Sequence, residues 1–111
     1  MSNIDALYAE AEKLKDSGES EASIEILKQI LEQDANHVLS HLTLARLYTR
    51  TGQHDLAIAH NQKACELEPS DPFNFTAMSV TYQRAFAGTG ERKYIAMAED
   101  AMATARNMQH R

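Results

Sequence analysis

The chain has 111 residues, 43% of them hydrophobic and 24% charged, enough for one domain that buries a core without disulfide staples. Its 11 basic and 16 acidic residues give a net charge of −5, which argues against a nucleic-acid partner or an anionic membrane surface. No apolar run nears the roughly 18 residues of a membrane span, Cys65 has no partner for an internal disulfide, and residues 1–5 lack a signal-peptide pattern, so the cytoplasm is the expected compartment.

In chain order, Asn3 is placed to cap a first helix in which Leu7, Ala11 and Leu14 recur on one face. Gly18 can take the left-handed conformation that ends it. A second helix, from about residue 20 to 33, carries Ile24, Leu27, Ile30 and Leu31 as its apolar stripe. Asn36 is the expected cap of a third, which bears Leu39, Leu42, Leu44, Ala45, Leu47 and Tyr48 and ends at Gly52. Asp55 is the expected cap of a fourth, with Leu56, Ala57, Ile58, Ala64, Cys65 and Leu67, and Pro69 forbids its continuation. Asp71-Pro72, a capping carboxylate followed by proline at the first helical position, starts a fifth with Phe75, Met78, Val80, Tyr82 and Phe86. Gly88-Thr89-Gly90 then interrupts the pattern. The last helix, within 94–108, is expected to turn Ile95, Ala98, Met102 and Ala105 to the core.

These helices repeat in pairs. Gly18 and Gly52, Ser23 and Ala57, Ile24 and Ile58, and Ile30 and Ala64 each stand 34 residues apart, and Leu14, Tyr48 and Tyr82 carry the step into a third unit. Large apolar and small residues thus alternate at fixed places, as close helix packing requires. Ala98 lies 41 residues after Ala57, so the third unit carries an insertion of seven around 86–93, or two extra turns of helix and loop, within which Gly88–Lys93 is read as a flexible connection. Aligning Ala96 instead gives an insertion of five and a poorer stripe.

The 34-residue helix–turn–helix unit, with Ala45, Tyr48, Gly52, Ala57, Ala64 and Pro69, resembles the tetratricopeptide repeat (TPR) family. The resemblance covers residues 1–111 as a single domain of three units, about 4–37, 38–71 and 72–111, with the second matching best. Glu10, His41 and Asn61 depart from it, standing where a leucine, a large aromatic and an aromatic are usual. The fold so implied is all-α, a right-handed superhelix or α-solenoid of three TPR-like repeats with an inner concave surface.

The resemblance further implies that the first helix of each pair lines that surface. Inward positions are then Asp5, Tyr8, Ala9 and Glu12, then Leu39, Leu42, Thr43, Arg46 and Arg50, then Phe73, Thr76, Ala77, Val80 and Arg84. This is an apolar trough with three arginines toward one side, suited to a protein or peptide ligand with apolar and acidic anchors. The bland alternative makes Leu39, Leu42 and Phe73 inter-repeat packing and the arginines a solvated face. TPR domains that grip chaperone C-termini use a clamp of lysines, asparagines and an arginine, and the corresponding places here hold Tyr8, Glu12, Thr43, Phe73 and Ala77. None matches, so that mechanism is not expected.

Other constellations are weaker. His37 with His41, or His54 with His60, could share a metal but lack a third ligand, so surface or packing histidines are expected and no metal or cofactor is called for. The Gly88-Thr89-Gly90-Glu91-Arg92-Lys93 stretch lacks both the ending of a phosphate loop and a preceding strand. Cys65 lies on an apolar stripe and reads as an inert thiol, and no catalytic arrangement is favoured by spacing, so no enzyme is expected. On the last helix Met97, Ala101 and Met108 form a second side which, with Phe86, offers an alternative role: a homo-oligomer face on an uncapped end, set against a merely frayed helix.

Overall fold

The computed structural model describes residues 3–110, which form six helices: α1 (Asn3–Asp16), α2 (Ser20–Gln33), α3 (Val38–Arg50), α4 (His54–Leu67), α5 (Pro72–Thr89) and α6 (Lys93–Gln109). No strand occurs among the described residues. Each odd-numbered helix packs on the even one that follows, and α2 on α3, α4 on α5 and α3 on α5 join the three pairs into an α-solenoid.

The first two turns are the same structure built twice. Gly18 N–H donates to the Lys15 carbonyl at 3.1 Å and Glu19 N–H to Leu14 at 2.8 Å; Gly52 to Thr49 and Gln53 to Tyr48 repeat both distances. This is the paired closure in which the residue after the helix takes a left-handed backbone, here φ +83° and +79°, at no steric cost to glycine. Asp71 caps α5 by accepting from Phe73 N–H at 2.9 Å, with Pro72 directly behind it. Three expected caps differ. Asn3 already belongs to α1. His37, not Asn36, caps α3, its Nδ1 accepting from Ser40 N–H at 3.3 Å, and α4 begins at His54, so Asp55 falls inside the first turn and favours the helix dipole instead.

Within each pair the helices cross at small residues. Ser23 Oγ donates to the Ala11 carbonyl at 2.7 Å, Ala45 and Ala57 are both buried, and Ser79 Oγ donates to the Ala98 carbonyl at 2.8 Å. The insertion in the third unit adds helix at both sides of a short turn, as expected, but Gly88 and Thr89 belong to α5 and Lys93 to α6 rather than to a flexible connection. It lengthens α5 to 18 residues and α6 to 17, against 13 and 14 in the second pair, and only residues 90–92 separate them. That is roughly one extra turn on each helix.

Two apolar clusters fill the solenoid. Ala11, Ile24, Leu27, Ile30, Leu44, Leu47, Tyr48 and Ala57 make the first; Cys65, Met78, Tyr82, Ala85, Tyr94, Ala98 and Ala101 make the second. A buried polar layer lies between α4 and α5, where Thr81 Oγ1 donates to Asn61 Oδ1 at 2.7 Å and Asn61 Nδ2 to the Asn74 carbonyl at 3.3 Å. Asn74 Nδ2 in turn donates to the carbonyls of Ala64 and Glu68, so these buried amides find partners. The core stripe of α6 is Tyr94, Ala98, Ala101 and Ala105. Ile95 and Met102 are not in it: Ile95 is 41% exposed and Met102 half-buried, and Tyr94 stacks on Tyr82 in place of Ile95, with ring centroids 6.0 Å apart.

Candidate functional site

Between α3 and α5 lies an apolar pocket of about 340 Å³. Leu42, Ala45, Arg46 and Thr49 line it from α3, Asn61 from α4, and Phe73, Thr76, Ala77, Val80, Thr81 and Arg84 from α5. Phe73 and Val80 are 54% and 43% exposed, so large apolar surface faces water here. Arg46, Thr49 and Arg84 also line a second pocket of about 390 Å³, shared with Arg50 and His54. The two are contiguous, apolar at one end and cationic at the other.

Of the residues expected in the trough, Leu42, Arg46, Phe73, Thr76, Ala77, Val80 and Arg84 meet in the first pocket and Arg50 joins in the second. Asp5, Tyr8, Ala9, Glu12 and Thr43 line neither. Tyr8 Oη and Thr43 Oγ1 are hydrogen-bonded at 2.8 Å and join α1 to α3, leaving Thr43 buried. Burial raises the phenol pKa of Tyr8 above its ordinary value, partly offset by that bond, and its ring tilts against His37. Leu39 is exposed but lines neither pocket. Ala45, Thr49, Asn61, Thr81 and His54 line the pockets without having been expected there. Thr49 follows Arg46 by three and so shares its face, a readable signal, whereas Asn61 and His54 arrive from α4 and needed the packing.

The charge is uncompensated. The ion pairs among the described residues use Lys15 and Lys93, not these arginines. Arg50 has one fixed contact, its Nη1 donating to the Lys15 carbonyl at 3.3 Å.

Elsewhere the expected constellations resolve into packing. His41 pairs with His60 rather than His37, the two Nδ1 atoms 3.0 Å apart. His41 Nε2 lies 2.8 Å from the Ala35 carbonyl and must donate to it, which leaves its Nδ1 to accept from His60 Nδ1–H. His60 stacks on Tyr48, and burial, then His41 and Lys28, push its pKa below the ordinary value. Cys65 Sγ donates to the Asn74 carbonyl at 3.4 Å, and burial, with Glu66 adding to it, pushes the thiol pKa up to about 11. In the face drawn through Phe86, Met97, Ala101 and Met108, Ala101 is only 8% exposed and belongs to the second cluster, because the α6 core stripe passes through it. Phe86 and Met97 are exposed and Met108 half-buried.

Residues 8–72 match the family model of the tetratricopeptide repeat. The chain belongs to that family. No curated protein sequence matches it. Among solved structures, the TPR domain is similar to MamA, with a TM-score of 0.81 at 19% identity over 96% of this chain and 58% of that one. It is likewise similar to the Yersinia enterocolitica type III secretion translocator chaperone SycD, at 0.81 and 19% over 95% of this chain and 73% of that. The second TPR of Spaghetti (RPAP3), bound to the HSP90 peptide SRMEEVD, gives 0.79 and 17% over 96% and 93%. At these identities the likeness is one of fold. No described helix of this TPR domain is long and apolar enough to cross a membrane.

Proposed function

We propose that this TPR domain is a protein-interaction adaptor that takes an extended or helical segment of a partner in the trough between α3 and α5. The observation that carries the reading is the pair of contiguous pockets, with exposed Phe73 and Val80 beside arginines that make no ion pair among the described residues. A segment with an apolar anchor and a neighbouring acidic group complements both. Relatives in fold support a peptide ligand: the Spaghetti domain was solved with an HSP90 peptide, and SycD with a peptide of the translocator YopD. The residues at the chaperone-clamp places, Tyr8, Glu12, Thr43, Phe73 and Ala77, point to a different ligand chemistry. We assign the domain a binding role without a catalytic step, in the cytoplasm, with all three helix pairs acting as one unit.

Selection of random peptides on the purified domain tests this. Enriched peptides are expected to share an apolar residue and to bind Val80→Glu at least about tenfold more weakly, while the melting temperature stays put because Val80 is exposed. Peptides that bind wild type and Val80→Glu alike would move the site elsewhere.

A further inference from the structure

We infer that the end of the trough nearest α4 is an anion-binding cage, in which Arg46, Arg50 and Arg84, with Thr49 and His54, hold a carboxylate or phosphate group of the bound peptide; this rests on the peptide-binding reading for its ligand. Arg50 and Arg84 stand 34 residues apart, so they occupy the same place on the first helix of successive pairs. Arg46 lies one turn before Arg50 on the same face. Stacking α3 beside α5 therefore brings three of the chain's six arginines to one pocket of about 390 Å³.

Three guanidiniums around one cavity repel one another, and the chain has acidic residues in excess with which to neutralise them. It places none within ion-pairing distance of the three among the described residues. The repulsion falls when an oxyanion enters, and forked guanidiniums supply the donors that suit both carboxylate and phosphate.

Two further observations point to a ligand here. His54, which lines the cage, has a buried Nδ1 with no hydrogen-bond partner. A buried polar nitrogen left unpaired is costly, and an oxyanion or a water carried in with it supplies the partner. His54 also opens α4, whose preceding residue Gln53 gives no side-chain cap, so the positive end of that helix dipole lies at the cage. The extra turn of α5 closes over the imidazole so tightly that a Cβ on Gly88 would collide with His54 Nε2. The departure of the third repeat from the 34-residue step thus forms part of the wall. None of the chaperone-clamp places falls in this cage.

The test titrates ¹⁵N-labelled domain with inorganic phosphate and, separately, with glutarate, reading the arginine Nε–H signals and the His54 ring. Wild type is expected to show saturable shifts at Arg46, Arg50, Arg84 and His54. Arg50→Gln/Arg84→Gln is expected to weaken them at least about tenfold, while the exposed Lys63→Gln leaves them unchanged. Saturation by glutarate alone assigns an acidic side chain or C-terminus, and by phosphate alone a phosphorylated residue. If neither anion shifts these signals, or the double variant responds like wild type, the cage is overturned. Should the double variant fail to fold, Arg46→Gln, on an exposed side chain, reads the same loss. Selected peptides separate the two readings: sensitivity to Val80→Glu without sensitivity to the arginines keeps the trough and removes the cage.

Discussion

Ser79 Oγ donates to the Ala98 carbonyl at 2.8 Å, and in the first helix pair Ser23 Oγ makes the same link to the Ala11 carbonyl at 2.7 Å with the roles of the two helices exchanged. The crossing of α5 and α6 therefore uses the same closely packed place as the crossing of α1 and α2, despite the longer third unit. Both crossings are made by small, buried residues.

Ala98→Leu tests that fit. Ala98 is 6% exposed against Ser79, so three added carbons must push the helices apart. Overpacking of this kind costs about 1–3 kcal/mol, and the melting temperature is expected to fall by roughly 10 °C in a calorimetric scan. An unchanged melting temperature would mean that the pair has slack at its crossing.

Asn61 is fully buried and bridges Thr81 and Asn74. Asn61→Ala opens a small void and removes both contacts, and is expected to cost about 2–3 kcal/mol by denaturant unfolding. Asn61→Leu refills the volume but leaves Thr81 Oγ1 only the Ala77 carbonyl and the Asn74 carbonyl only the Cys65 thiol as side-chain partners, and is not expected to restore full stability.

The His41–His60 pair predicts a pH dependence. His60 has its pKa lowered in the folded state, by burial first and then by His41 and Lys28. The unfolded chain thus takes up a proton before the folded one does. The stabilisation is complete above the ordinary histidine value near 6.5 and declines as pH falls below it. Melting temperatures at pH 7.5 and 5.5 are expected to differ more for wild type than for His60→Gln, whose amide can still donate to His41. Equal differences would show that His60 does not couple protonation to folding.

Much of the fold was legible because its signals are local. Gly18, Gly52 and Pro69 mark turns by backbone chemistry that neighbours cannot override, and the 34-residue step between equivalent small residues follows from helix crossing. The last helix was harder. Ala96, Ala98, Ala101, Ala103 and Ala105 let several phases look equally apolar, and Tyr94 settles the phase only by meeting Tyr82 across the pair. The three arginines were visible as a charged edge of the trough. The histidine that completes their pocket was not, because His54 and Gly88 are brought together by the added turn of α5. His41 and His60, on different helices, likewise meet only through the packing of α3 on α4.

The amide layer between the two apolar clusters has a consequence for how the helices recognise their proper neighbours. In a solenoid the first helix of every pair offers much the same surface, so a chain risks stacking its units in the wrong order or onto another copy. The places equivalent to Asn74 and Thr81 are Ser40 and Leu47 on α3, and Ala6 and Lys13 on α1. Set against either, Asn61 would lose the hydroxyl of Thr81 and face an aliphatic chain or a lysine in a dry contact. Only α5 answers it. One buried asparagine thereby works as an address label, making exchange of helices between molecules unfavourable without any bulky barrier.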